Sequence, residues 1–388
     1  MSVNERVVAR LKELVAFDTT SRNSNLPLLD HVEDILRPLG FALERYPDET
    51  GTKANLWATI GPADRPGIVL SGHTDVVPVD GQDWETDPFV LAERDGRLYG
   101  RGACDMKGFL AVCLALAPEM AAAPLAQPIH FAFTHDEEVG CVGAQALVRR
   151  LAAEKGIVPM ACFVGEPTSM GVVVGHKGKR SVKVTVRGLT RHSSLAPQGV
   201  NAVEFAALLV ARIRALADRL AAEGARDGAF DVPHTTAHVG VLTGGTALNI
   251  VPDVASILFE IRAIGADDPD ALVAEIEDYA RRELEPRMRA VDPSTGIDFE
   301  VYAGFPGLDT PPDAPVVTLG KRLAGRNDHA KVAYGTEAGL FSQIWQVPTV
   351  IVGPGSIAQA HQANEWIAKD QLVACAAFVE RLIAECGR

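Results

Sequence analysis

Ser71-Gly72-His73-Thr74-Asp75-Val76-Val77-Pro78 follows directly on the apolar run Ile68-Val69-Leu70, so an imidazole and a carboxylate two positions apart arrive where a strand should end. In extended backbone alternate side chains share a face, which lets His73 and Asp75 point the same way; such a pair can bind a metal ion and orient its ligand. The same pair can also simply cap a strand through a hydrogen bond. What separates the two readings lies elsewhere in the chain.

Ile129-His130-Phe131-Ala132-Phe133-Thr134 is nearly all apolar, as a strand covered on both faces of a parallel sheet should be, and it runs into Asp136-Glu137-Glu138. Three acids before an apolar-periodic helix near 143–153 also suit a helix N-terminus for reasons of dipole alone. Ala161-Cys162-Phe163-Val164 delivers Gly165-Glu166-Pro167-Thr168, and Pro348-Thr349-Val350-Ile351-Val352 leads through Gly353-Pro354-Gly355 to His361. A glycine-rich stretch, Gly100-Arg101-Gly102, precedes Asp105 and an apolar helix from Phe109 to Met120, where Asp105 also reads as an N-cap. Ligands of open α/β sheets bind outside the carboxyl ends of the strands. The pattern therefore predicts an α/β domain with a mostly parallel sheet that gathers His73, Asp75, Glu137, Glu138, Glu166 and His361 at one edge.

Helices are predicted over 4–16 and 26–39, the second stopping at Gly40, with a strand over Asn55–Ile60 between them and the His73 strand. From 179 to 292 the character changes. Ser181–Arg187 and Ala255–Arg262 alternate polar and apolar, and helical stretches lie near 200–222 and 268–288, the pattern of a half-exposed antiparallel sheet with helices on one face. Because a buried strand and His361 come later, this segment reads as an inserted α+β domain (179–292) between two parts of the α/β domain, 1–178 and 293–388.

The 388 residues, 47% hydrophobic with 35 Gly and 24 Pro, suit an ordinary globular protein of two domains. Thirty-seven basic against 50 acidic residues leave a formal charge of −13, which argues against nucleic acid or anionic membranes as partners. Met1-Ser2-Val3-Asn4-Glu5-Arg6 opens an amphipathic helix and not a secretory leader, so the expected location is cytoplasmic. Six cysteines without a CxxC pair suit reduced thiols.

Two histidines and several carboxylates without a thiolate describe a nitrogen–oxygen metal site, for which Zn²⁺ is expected and Co²⁺ or Mn²⁺ compatible. Two divalent ions, three ligand carboxylates and one hydroxide sum to zero charge, so a two-metal site bridged by Asp105 is electrostatically reasonable. One of the adjacent Glu137 and Glu138 should then bind metal while the other accepts the proton of water.

His73-Thr74-Asp75, Asp105-Met106-Lys107-Gly108, Asp136-Glu137-Glu138-Val139-Gly140, Gly165-Glu166-Pro167-Thr168 and His361, in this order, resemble the co-catalytic zinc aminoacylase and carboxypeptidase G family. The resemblance implies that His73 and Glu166 hold one metal, Glu138 and His361 the other, and Asp105 both. It implies that Asp75 orients His73, that Glu137 is general base and then acid, and that the inserted domain is a ferredoxin-like dimerisation or lid domain of a homodimer. His192 would reach a partner subunit's site to help hold the substrate oxyanion, Arg262 would bind a substrate carboxylate, and Asn249 is a possible amide contact.

Gly175-His176-Lys177-Gly178, Gly244–Pro252, Thr336-Glu337-Ala338 and Gly353-Pro354-Gly355-Ser356 resemble a branch that deacetylates a small N-acyl amino acid with a cationic side chain. For such a substrate Arg262 is the candidate for the α-carboxylate and Glu337 for the ammonium. A branch that removes a succinyl group should want an additional cation where this chain has Thr336-Glu337. A catalytically silent metal- or peptide-binding relative is the non-enzyme alternative, against which stands Glu137 beside a full set of ligands.

Overall fold

The computed structural model describes residues Met1–Arg388. Its strands are β1 Ala42–Pro47, β2 Ala54–Ile60, β3 Ile68–His73, β4 Ala92–Arg94, β5 Arg97–Tyr99, β6 Ile129–Thr134, β7 Ala161–Val164 and β8 Val173–His176, followed by β9 Gly178–Arg187, β10 Thr236–Gly244, β11 Val254–Ala263, β12 Gly296–Phe305, β13 Leu308–Asp309, β14 Ala330–Val332, β15 Thr349–Ile351 and β16 Trp366–Ala368. They divide among two compact units, Met1–His176 with Leu308–Lys331 and Thr336–Arg388, and Lys177–Gly307 with Val332–Gly335.

The first unit is built on a sheet of order β1-β2-β6-β3-β7-β15-β8-β13, with β14 beside β8. Its centre, β6-β3-β7-β15, is parallel, and antiparallel pairs flank it on both sides. Ile68, Val69 and Leu70 are fully buried because helices cover both faces, which is why their run is apolar without alternation. On one face the helix Lys107–Ala122 packs against Val3–Val15 and Lys369–Cys386; on the other, Val142–Glu154 packs against Ala338–Ile344. Lys107–Ala122 is buried from Phe109 through Ala117, so its uniform apolarity reflects burial all round. The first helix opens on a capping box in which Ser2 and Glu5 satisfy each other's backbone N–H. The second, Leu26–Leu36, tightens to a 3₁₀ turn and stops at Gly40, whose φ of +85° favours glycine. β16, β5 and β4 form a small separate sheet.

The second unit is a four-stranded antiparallel sheet of order β10-β11-β9-β12. Val182, Val184 and Val186 of β9 and Ile257, Phe259 and Ile261 of β11 face a core shared with the helices Ala202–Glu223 and Pro269–Tyr279, while the alternate residues face outward. The unit reaches Gly307 where the sequence suggested 292. The reason is β12, which pairs β9 with Ile297 opposite Val186 and Phe299 opposite Val184 and so belongs to this sheet. All six cysteines are buried and free, and no helix is long and apolar enough to cross a membrane.

His130, on β6, stacks on Trp57 of β2 at 4.7 Å and meets the Thr59 hydroxyl through Nδ1 at 2.9 Å. Burial, then the charge of Lys155, lowers its pKa to about 4. Below pH 6.5 the unfolded chain takes up a proton that the folded chain refuses, so stability falls as pH drops from 6.5 towards 4, by at most about 1.4 kcal/mol per unit. His130→Gln should flatten that limb in urea titrations at pH 4.5 and 7; an unchanged slope would remove His130 from the account.

Candidate metal centre

The parallel order β6-β3-β7-β15 sets four carboxyl ends side by side. His73 is the last residue of β3, Glu137 and Glu138 follow β6, Glu166 follows β7, and the chain leaving β15 leads to His361. Asp105 lies just ahead of the helix that begins at Lys107.

Asp105 is the joint of this cluster. Its Oδ1 lies 3.1 Å from Nε2 of His73, and its Oδ2 lies 3.1 Å from Nε2 of His361. His361 Nε2 is also 3.1 Å from Glu138 Oε2, and His73 Nε2 is 3.7 Å from Glu166 Oε1. Ligand atoms of His73, Asp105 and Glu138, and of His73, Glu137 and Glu166, gather within 4.8 Å of one another. The five sequence-predicted ligands therefore converge, and Asp105 alone faces both imidazoles.

The imidazole of His73 is prepared for a cation. Its Nδ1 lies 2.9 Å from the carbonyl oxygen of Asp75, which can only accept, so Nδ1 keeps its proton and Nε2, which donates to Asp105 Oδ1 in the metal-free chain, is the nitrogen left to exchange its proton for a cation. β3 ends at His73, so Asp75 lies beyond the strand, and it faces the ring with both its carbonyl and its carboxylate. The Asp75 carboxylate, 3.6 Å from Nδ1, pairs with the ring and also holds the neighbouring loops. It accepts from the Ser21 hydroxyl at 2.7 Å and from the backbone N–H groups of Glu137 at 3.1 Å and Glu138 at 3.3 Å, fixing the acidic turn.

Charge crowding shows in the titration of the group. Burial, then the charge of Asp105, pushes the Glu166 carboxyl well above the usual range, and the same two causes raise Glu138. Glu137 is pushed up to about 8 by burial, with Glu138, Asp105 and Asp75 adding to it and His73 opposing. Asp105 is buried, yet its hydrogen bonds with His361 and His73 hold its carboxyl below the usual range. His361 is raised to about 10 by its bonds to Asp105 and Glu138. Glu166 Oε1 is a buried acceptor without a hydrogen-bond partner. An acceptor left bare in a carboxylate cluster is what a cation ligand looks like, and the all nitrogen–oxygen donor set fits divalent ions of the zinc type.

Glu337 corrects another expectation. It is fully buried, with Oε1 accepting from Ser71 Oγ at 2.6 Å and Oε2 from Thr134 Oγ1 at 2.7 Å, and so ties β3 to β6 instead of offering itself to a substrate ammonium. His192, Asn249 and Arg262 lie in the second unit. His192 Nδ1 accepts from the Ser194 N–H at 3.2 Å, so its Nε2–H is an outward donor on an exposed ring. The Asn249 carbonyl accepts from the Ser193 N–H at 3.0 Å, beside the bridge between His192 and Ile250. Arg262 is half-buried and forked onto Glu260, at 3.1 and 3.3 Å. Sequence reasoning missed Glu365, whose carboxylate accepts from the Asp105 N–H at 3.0 Å, and its partner Arg101.

The family model described as Peptidase family M20/M25/M40 matches residues 69–385. This chain belongs to that family. Among curated relatives, the M20 chain is 38% identical to acetylornithine deacetylase of Myxococcus xanthus, over 98% of its own length and 97% of the relative's. It is 35% identical to acetylornithine deacetylase of Proteus mirabilis, over 91% and 88%. Among solved structures it resembles aminopeptidase PepT of Bacillus cereus, with a TM-score of 0.74, 25% identity and 99% of each chain covered.

The loop that carries Glu166 approaches the core tightly at Gly165, where an added Cβ would lie 2.1 Å from the Phe109 ring. Gly165→Ala should cost about 1–3 kcal/mol in urea unfolding, and Phe109→Leu in the same chain should recover part of it. Additive losses would show that the contact is not the cause.

Proposed function

We propose that this chain is a divalent-metal-dependent amidohydrolase that converts N2-acetyl-L-ornithine and water to L-ornithine and acetate. The observation that carries the chemistry is the Asp105 carboxylate set between the two imidazoles, with a proton-accepting Glu137 beside it. The substrate rests on identity of 34–38%, over most of the chain, to acetylornithine deacetylases. His73 and Glu166 would hold one ion, Glu138 and His361 the other, and Asp105 both. When bound, the two ions, zinc by donor chemistry and cobalt as a substitute, supply Lewis acidity to the acyl carbonyl and the attacking water.

The protein's own part is proton transfer and positioning. With cations beside it Glu137 would stand as a carboxylate, and it takes the proton released when water adds to the acyl carbon; its burial among other carboxylates then raises its affinity for that proton. The same carboxyl then gives that proton to the departing amine nitrogen, so the amide bond breaks to a free amine and acetate. Arg262, once released from Glu260, is the fixed cation for the α-carboxylate. In a homodimer formed through the second unit, His192 Nε2–H would donate to the developing oxyanion in the partner's site. Exposed Leu242, Leu248 and Ile250 on and after β10 support such an interface. A cytoplasmic setting suits the six free cysteines.

The burial of Glu337 favours a second reading, a broader N-acyl-amino-acid deacylase, because it takes away the residue that would read an ornithine ammonium. Zinc-loaded protein offered N-acetylornithine, N-acetylmethionine and succinyl-diaminopimelate decides between them. A preference for N-acetylornithine of tenfold or more in kcat/KM supports the narrow reading, equal rates on the two acetyl substrates the broad one, and hydrolysis of the succinyl compound alone neither.

Glu137→Gln should keep fold and metal content while turnover drops by about 10²–10⁴-fold, the scale of a lost general base. A fall of less than about tenfold at unchanged metal content would take the base role from Glu137. Mixing Glu137→Ala with His192→Ala chains should restore part of the activity if His192 serves the partner's site, and none if it serves its own.

A further inference from the structure

The two segments that bring Asp105 and His361 together are about 250 residues apart in sequence, and one buried carboxylate joins them. Glu365 Oε1 accepts from the backbone N–H of Cys104 at 2.8 Å and of Asp105 at 3.0 Å. Its Oε2 accepts from the Gly102 N–H at 3.0 Å and from Arg101 Nη1 at 2.7 Å. Arg101 then reaches the other way, with Nη2 on Gln82 Oε1 at 2.5 Å, and Gln82 Nε2 donates to the carbonyl of His361 at 3.1 Å. The ladder of β16 on β5 runs directly beside this network.

This is a costly way to gain stability. Arg101 and Glu365 are 0% and 1% exposed, so both charges have left water, and Arg101 Nε has no hydrogen-bond partner. Buried ion pairs seldom repay their desolvation relative to apolar residues of similar shape. What the pair does supply is direction: three N–H groups of a single loop converge on one carboxylate, and the guanidinium fork spans the distance to the support of His361.

We propose that Glu365, with Arg101 and Gln82, is a positioning clamp that sets Asp105 and His361 at the spacing a shared cation pair requires. Glu365 acts through the backbone of Asp105, and Gln82 through the backbone of His361. The clamp rests on the metal-centre reading above, and its loss lowers affinity for divalent ions, chiefly for the ion held by His361 and Glu138.

The test uses the full chain with Glu365→Gln and, because a buried variant can fail to fold, the half-buried Gln82→Ala. Amide hydrogen exchange on metal-free protein comes first. Glu365→Gln should speed exchange at Gly102, Cys104 and Asp105 about tenfold or more while β6 and the Lys107–Ala122 helix stay protected; unchanged exchange at those three amides overturns the clamp whatever the metal does. Zn²⁺ titration against a chelator comes second. Glu365→Gln should lose about 10–100-fold in affinity, the scale of lost outer support of metal ligands, and Gln82→Ala a smaller amount confined to one of two ions. Wild-type affinity in both variants overturns the proposal. A wild-type chain that takes up no divalent ion sinks the metal-centre reading instead, and hydrogen exchange then decides the clamp alone.

Discussion

Asp105 offers one carboxylate oxygen to His73 and the other to His361, and the surroundings of the site reflect the need to hold that arrangement against repulsion. Glu137, Glu138 and Glu166 share the space, and like charges in a poorly solvated cleft raise one another's proton affinity. Without cations the two imidazoles neutralise part of this crowd. Divalent ions can do so more fully, at the same atoms. The folded chain thus holds an electrostatic strain that ion binding relieves.

Rigid neighbours keep the strained group in place. The Asp75 carboxylate gathers the N–H groups of Glu137 and Glu138, and Glu337 joins β3 to β6 through Ser71 and Thr134 beneath them. Each support is a buried acid satisfied by donors from a distant part of the chain, and none faces solvent.

His73, Glu138, Glu166 and His361 were legible as neighbours because apolar strands end visibly, and the residues just beyond a parallel strand lie at the sheet's carboxyl edge; Asp105 follows no such strand, and only the motif Asp105-Met106-Lys107-Gly108 pointed to it. The supports were not legible. The part of the Asp75 carbonyl, which meets the ring alongside the carboxylate, has no sequence signal, since sequence shows residue type and not which atom is presented. Thr336-Glu337-Ala338 reads equally as an exposed helix start or a buried tie, and only the packing of the Ala338–Ile344 helix against its neighbours tells them apart. Arg101 and Glu365 are single charges in unrelated segments, with no spacing to pair them. The second unit runs past 292 because Ile297-Asp298-Phe299-Glu300-Val301 alternates like the other half-exposed strands and pairs on β9, a periodicity that the bound at 292 leaves outside the unit.

The order in which these residues leave the ribosome matters as well. Glu166 and all the acids before it are made first, and roughly 200 residues, or about 10–40 s of synthesis at about 5–20 residues per second, separate them from His361. All of the second unit emerges in that interval. Through it the nascent first segment carries its cluster of carboxylates without the second imidazole and without Glu365 to seat Asp105. The cell therefore makes an anionic half-site before it makes a metal site, and a stretch of chain that emerges much later completes the ion pocket.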